Sequence, residues 1–476
     1  MNPAPRATTA PLERREILFL GAAFLGSRLL YLGAGICFDV APLVFYWQLV
    51  DPALLRSELW RSVLHLHSQP PLFNLFLGGV LQLPAAWQAT VFRLVYLGLG
   101  LALGASLLAL QARLGVGRRP RLLLTALLVC SPACVLTENQ LFYTYPVMAA
   151  LAASGLYLHR FLDRRRLVDG LVFFSLLAAV VLIYSLFYLG WLLSVALAVG
   201  WLAHRLRRKV AAAAALPVLL CLLWYARGYA LFGSLSASSW LGMSLAQTVT
   251  RLIPPAERCG LFAEDPAEAI LGVPPFSPLA AYAGRVPLPP VTGVAVLDEP
   301  FKSTGAPNFH HLAYVGIGRA YARGALALIR RHPTLYLRAV AAAHLVYFRS
   351  PADSAWLGEN RRRIAGFSRW FDRLVYGQWE AFQGRFGPRC VAWVPLLLFP
   401  LLLVSAGRRA FQGLRRHDDL ASSLTIAFIV FTILYVTAVG NLVELGENNR
   451  FRLLVEPFLF ILFGLLLPLR SSRWTT

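Results

Sequence analysis

The residues best equipped for chemistry lie between Phe38 and Gly79. This stretch holds two carboxylates (Asp39, Asp51), two histidines (His65, His67) and the run His67-Ser68-Gln69-Pro70-Pro71. A carboxylate just above hydrocarbon can take a proton from a hydroxyl nucleophile or hold a divalent cation. Asp51 has a competing duty, because Asp-Pro is a helix-start signal and its side chain can cap a helix beginning at Pro52. Asp39 has no such structural excuse. His65, His67 and Gln69 can hydrogen-bond a sugar or phosphate, or supply interface polarity. Their spacing is not that of a zinc site, since no third ligand follows at a helical interval. The double proline is a shape device that starts a helix at Leu72.

Three further groups stand out. Glu138-Asn139-Gln140 forms a short polar turn, and Glu138 with Asp39 is a candidate pair for magnesium or manganese. The run Gly446-Glu447-Asn448-Asn449-Arg450-Phe451-Arg452 closes one end of the last apolar segment. Arginines there suit a phosphate at headgroup depth, or simply snorkel to the interface. Arg93 invites the same reading with a stronger structural alternative. Lys302 to Tyr314 gathers Asn308, His310 and His311 before a helix, either as a substrate-binding wall or as helix-start polarity.

These groups must be positioned by a hydrophobic scaffold. Hydrophobic residues make up 58% of the 476 and charged residues 14%, against about 25% charged in a soluble domain. Several apolar runs are long enough to cross a bilayer as helices. The net charge of +22 is spread in short arginine clusters between apolar runs, where it retains loops in the cytoplasm. Nucleic acid is not the implied partner. The six cysteines show no metal spacing; Cys130 and Cys134 read as helix packing, and Cys259 with Cys390 can pair in an oxidising compartment. Arg14 and Arg15 precede an apolar run with no small-residue cleavage site, so the first segment reads as a retained span.

Ten spans follow: 17–37, 90–111, 122–136, 145–158, two within 167–201, 210–231, 391–406, 420–439 and 453–469. Leu54–Leu66 reads as one amphipathic helix, Leu72–Leu83 as interfacial or re-entrant, and Thr334–Phe348 as interfacial. Arginines at 113–121, 160–166, 205–208, 408–416 and 470–473 mark the cytoplasmic side. The expected fold is an all-α polytopic membrane protein. Residues 1–231 form an N-terminal membrane module with its first outer loop at 38–71. Residues 232–390 form a large extracytoplasmic region of loops and amphipathic helices rather than a sheet, and 391–476 the C-terminal spans. No internal repeat is evident.

The early Asp39 and the ending Gln69-Pro70-Pro71-Leu72 resemble the first outer loop of the integral-membrane glycosyltransferases of the GT-C fold. The likeness is greatest to the branch of protein O-mannosyltransferases and the lipid A aminoarabinose transferase. Arg93 matches an arginine often found at the head of the next span. Ser131-Pro132 and the acidic turn at Glu138 also fit, as do Asn449-Arg450-Phe451 with Pro457 behind them. The likeness covers the first 160 residues and, thinly, the last 40. It departs where Asp39 stands alone until Asp51 and where His67-Ser68 precedes the prolines. It implies transfer of a monosaccharide from a polyprenyl-phosphate carrier to a glycan, lipid or protein acceptor on the outer face of a bacterial inner membrane. Asp39, or next Asp51, would be the general base. Arg450, Arg452 or a cation would stabilise the leaving phosphate, and His65, His67, Gln69, Arg93, Glu138, Asn139, His310, His311, Glu447 and Asn449 would line the substrate site.

The rivals are a transporter or flippase of lipid-linked molecules and a non-catalytic membrane scaffold. A transporter predicts two related halves with ionisable groups at mid-membrane, and the sequence has no such halves. Convergence of Asp39, Asp51, Glu138 and Arg450 on one outer cavity favours the enzyme; their dispersal favours the scaffold.

Overall fold

A computed structural model describes residues 12–384, 387–416 and 419–467. Arg470 and Arg473 lie outside them. Each apolar run read as a span is mostly helical among the described residues, with a break at Cys130–Ser131 in the third and residues 391–392 in a strand. Five helices are long and apolar enough to cross a membrane: Arg14–Gly33, Ala85–Arg113, His204–Phe232, Trp393–Arg416 and Leu420–Val443. Arg118–Val129 and Pro132–Glu138 make a sixth if the pair, bent by 51°, is one span. Four of the ten segments fall short for two reasons. Leu167–Ile183 and Leu189–Leu202 are too short. Thr144–Arg164 and Asn448–Leu466 carry polar and charged groups, yet most of their side chains are buried by other helices. A helix that touches protein rather than lipid need not be apolar all round.

The breaks have local causes. Pro132 cannot donate its backbone nitrogen, so the helix stops at Val129 and restarts with Ser131 accepting from the Cys134 N–H at 3.2 Å. Cys130 and Cys134 therefore do not share a helix. The single helix expected over Leu54–Leu66 is two, Pro52–Ser57 and Leu59–Leu64, with Glu58 outside helical geometry. Gln82 donates to the carbonyls of Leu55 at 3.0 Å and Arg56 at 3.3 Å, satisfying acceptors that the break exposes. Pro71 does open a helix, Pro71–Leu81.

At one end of the bundle the basic clusters meet. Arg121 donates to Glu16 at 2.9 Å, Arg118 lies 3.1 Å from Glu13, and Arg160 lies 2.8 Å from Asp169. The opposite end carries the Phe38 loop and a separate apolar core in 240–328, where Leu241–Thr250 crosses Ala313–Arg331. Gly242 and Gly318 let these two backbones touch. Pro333–Tyr347 packs on Leu420–Val443 and Asn448–Leu466. A two-stranded antiparallel hairpin, Gln378–Gly384 with Gly387–Ala392, stands where only loops and helices were expected. The Cys259 side chain is outside the described ones, which leaves its pairing with Cys390 outside the description too.

One buried pair ties the first span to the bend. Arg28 donates to Glu138 at 2.9 Å and to the Val129 carbonyl at 2.8 Å, while the Tyr145 hydroxyl donates to Glu138 at 2.6 Å. Glu138 is 1% exposed. Removing one partner of such a pair strands a charge at a cost of about 3–5 kcal/mol, whereas an apolar replacement of both is often neutral. Glu138→Gln should therefore lower the thermal midpoint of the detergent-solubilised protein markedly, and Arg28→Met with Glu138→Leu should recover most of it. A single variant that melts like wild type would show that the pair holds nothing together.

Candidate functional site

A cavity of about 590 Å³ opens at the end of the bundle opposite the basic clusters. Helix ends build it. Tyr143 precedes Thr144–Arg164; Tyr184 to Tyr188 bridge Leu167–Ile183 and Leu189–Leu202; 444–447 join Leu420–Val443 to Asn448–Leu466. Broken and ended helices leave backbone groups that need partners. The Tyr435 hydroxyl donates to the Leu186 carbonyl at 2.9 Å and accepts from the Tyr188 N–H at 3.1 Å, which fixes the first break. Asn448 donates to the carbonyls of Gly440 at 3.2 Å and Glu444 at 2.9 Å, fixing the second.

Four arginines line the cavity (Arg251, Arg349, Arg361, Arg450) with three carboxylates (Asp353, Glu444, Glu447). Arg450 pairs with Glu447 at 2.7 Å and sits among the rings of Phe142, Tyr143, Tyr184 and Phe451, 5.1–5.7 Å from their centroids. Arg251 donates to the Leu445 carbonyl at 2.8 Å. Gly446, at φ +147°, makes room for it: an added Cβ would lie 2.7 Å from its Nη1. Arg361 lies 3.5 Å from Asp353. Arg349 has no carboxylate partner among the described residues, and its buried Nε has no acceptor. Burial and the neighbouring Glu447 charge push the Glu444 carboxyl up to about 7, against the pull of Arg450 and Arg251. Glu444 is partly exposed and lines the cavity. Trp47, Trp240, Phe276 and Trp356 supply ring faces, and Trp47 stacks on Phe276 at 5.1 Å.

Of the residues singled out by sequence, Gln69, Glu447, Asn449 and Arg450 line this cavity. The Gln69 Oε1 is buried without a partner among the described residues, and Asn449 donates to the Ser350 carbonyl at 2.8 Å. The others are placed elsewhere. Asp39 bridges backbone to backbone with the 139–141 turn, and its carboxylate accepts from the Ala41 N–H at 2.9 Å. Asn139 donates to the Val135 carbonyl. Asp51 caps the helix at Pro52 and accepts from the Ser303 N–H at 2.6 Å. Glu138 is committed to Arg28 and Tyr145. Asp39 and Glu138, the two candidates for a divalent cation, are thus each held by the protein, and no cluster of three such ligands exists among the described residues. Arg93 is exposed. His65 lies 2.7 Å from the Arg61 carbonyl, and His311 accepts from the Ala313 N–H at 3.1 Å. Arg452 is fully buried, 3.5 Å from Glu456. Among Asp39, Asp51, Glu138 and Arg450, only Arg450 reaches the cavity.

The histidines fasten the Phe38 loop to the 240–328 region. His67 bridges the Ser239 hydroxyl at 2.7 Å and the His310 carbonyl at 2.8 Å. His310 bridges the Ser68 hydroxyl and the Leu49 carbonyl. Glu444, Asp353, Arg251, Arg349 and Arg361 are the charged cavity residues that sequence reading missed. Glu444 lay in view, three residues before Glu447; the other four fall where no pattern marks them. No protein-family model, no curated protein and no solved structure matches this chain.

Chemically, the cavity offers cations for an anion, a carboxyl pushed up towards neutrality, and ring faces for an apolar surface. The fastening has its own pH signature. Burial pushes His67 down to about 4 and His310 down to about 3, so both are neutral when folded. Below about 6.5 the unfolded chain takes up protons that the folded one refuses. Their contribution to stability is full above pH 6.5 and falls as pH drops towards 4, whereas the raised Glu444 carboxyl works in the opposite direction over the same range. The imidazole is therefore read as a difference: with thermal midpoints measured from pH 7.5 to 4.5, the gap between wild type and His67→Gln should narrow as pH falls. A gap constant across that range would mean that the His67 imidazole is not held neutral.

Proposed function

We propose that this protein is an integral-membrane glycosyltransferase of the GT-C kind, with ten spans. It moves a hexosyl or pentosyl group from a polyprenyl-phosphate carrier to a glycan, lipid or protein acceptor. The observation that carries this reading is the single cavity in which four arginines face three carboxylates among aromatic rings. The basic clusters at the far end support an orientation with the cavity on the periplasmic side of a bacterial inner membrane. The dispersal of Asp39, Asp51 and Glu138 taken alone favours a scaffold; a second set of acids gathered at the cavity outweighs it.

In this reading the carrier phosphate sits against Arg349, a guanidinium with no carboxylate partner among the described residues, and Arg450 of the same cavity assists. Glu444 replaces the first-loop aspartates as general base. An acceptor hydroxyl oxygen attacks the anomeric carbon, and its proton passes to Glu444. The bond from that carbon to the phosphate oxygen breaks, and polyprenyl phosphate leaves with the electron pair, neutralised by the arginines. Direct displacement inverts the anomeric centre. A carboxyl titrating near 7 matches its task at neutral pH.

Isolated membranes supplied with radiolabelled polyprenyl-phosphate sugars test this. Wild type should transfer label, with the rate rising as pH passes through about 7. Glu444→Gln should lose about 100-fold or more and the pH rise with it, while Asp39→Asn that inserts normally should keep transferring. Loss in Asp39→Asn with Glu444→Gln active would return the base to the first loop. Transfer from none of the common donors would favour a lipid-linked-substrate transporter or a scaffold.

A further inference from the structure

A second cavity of about 350 Å³ lies behind the first, and Ser238 and Leu241 belong to the walls of both. It sits between the end of the His204–Phe232 helix and the Ala313–Arg331 helix. Among the described residues no carboxylate lines it. Two arginines do, Arg227 and Arg319, and neither has an ion-pair partner among the described residues. Both are aimed by backbone carbonyls. Arg227 donates to the carbonyls of Leu64 and Leu66 at 2.8 Å, with its guanidinium 3.8 Å from the Trp224 ring centroid. Arg319 donates to the Phe232 carbonyl at 2.6 Å. The buried Arg227 Nε has no acceptor among the described residues. Ser234 and Ser236 add hydroxyls, and Leu245 and Leu326 an apolar floor.

Depth adds an independent argument. Arg207 and Arg227 stand on one helix, and 20 residues of rise at 1.5 Å separate them by about 30 Å. That is about the thickness of a bilayer's hydrocarbon. With Arg207 at one headgroup level, Arg227 stands at the other. On the hydrocarbon side of Arg227 the same helix exposes Leu219, Leu220, Leu222 and Leu223, a surface suited to acyl chains.

We propose that this second cavity binds the headgroup of an anionic phospholipid, its phosphate between Arg227 and Arg319 and its chains along the exposed face. The two positive charges without a counter-carboxylate select an anionic over a zwitterionic headgroup. The site does not depend on the glycosyltransferase reading, because it uses neither Glu444 nor the four cavity arginines.

The test uses the full chain, purified in detergent and stripped of lipid. Dioleoylphosphatidylglycerol, dioleoylphosphatidylcholine and inorganic phosphate are each titrated, and bound lipid is read by native mass spectrometry alongside the thermal midpoint. Phosphatidylglycerol should bind about tenfold or more tighter than phosphatidylcholine, and inorganic phosphate at equal concentration should not displace it. Arg319→Gln should weaken phosphatidylglycerol about fivefold, the worth of one arginine at a charged headgroup. Arg56→Gln, an exposed arginine elsewhere, should not. Equal binding of the two lipids, or an unchanged Arg319→Gln, would overturn the proposal. Displacement by inorganic phosphate would make this a free-anion site instead. Should Arg227→Gln fail to fold, Arg319→Gln alone decides.

Discussion

The arrangement depends on a buried lysine. Lys302 is 4% exposed, and its ammonium donates to the carbonyls of Tyr46 and Leu49, each at 2.7 Å. Burial pushes it down to about 8 against the pull of Asp51. Asp51 in turn accepts from Ser303, and His67 and His310 close the far side of the seam. A loop as polar as Phe38–Pro70 cannot be buried unless its backbone groups find partners. The 302–310 segment supplies them. Only with the loop held down do Trp47, Gln48 and Gln69 from one side and Trp240 and Phe276 from the other face a common space.

This seam explains what the sequence could convey about the site. Apolar length marks helices because hydrocarbon demands it, so all ten segments emerge as mostly helical. Proline marks breaks because its chemistry is local, as at Pro71 and Pro132. The polar motif residues were harder to assign. Asp51, His67, His310 and Glu138 have side chains suited to chemistry, and for the same reason they are suited to buried hydrogen bonds. Each has been spent on holding two distant segments together, up to 261 positions apart for His310 and Leu49. Nothing in local spacing separates those two uses. The residues left facing the cavity include Arg349 and Asp353, which come from a stretch with neither apolar period nor motif.

The partial legibility of Gly446–Arg452 has a different cause. That run is the end of a short turn and the first turn of the helix after it, between two helices that pack on each other, so neighbours in sequence stay neighbours in space. Glu444, Glu447, Asn449 and Arg450 reach one cavity together because the turn is short. Residues from long loops converge only through tertiary contacts, which no single segment encodes.

The same turn separates the roles of its two acids. Glu447 stands at the start of Asn448–Leu466 and Glu444 at the end of Leu420–Val443. A helix start favours a negative charge and a helix end disfavours it. Glu447 also has Arg450 at 2.7 Å. Glu444 has no ion-pair partner among the described residues and faces both the Glu447 charge and the end of its own helix. Two carboxylates three residues apart thus sit in different surroundings, and Glu444 is pushed up by burial and the neighbouring Glu447 charge. One is held as a fixed counter-ion for Arg450, and the other is left with a proton that it can exchange near neutral pH. The surroundings of a carboxyl decide whether it suits proton transfer. In the proposed reaction the choice of Glu444 over Glu447 follows from where two helices end rather than from any motif.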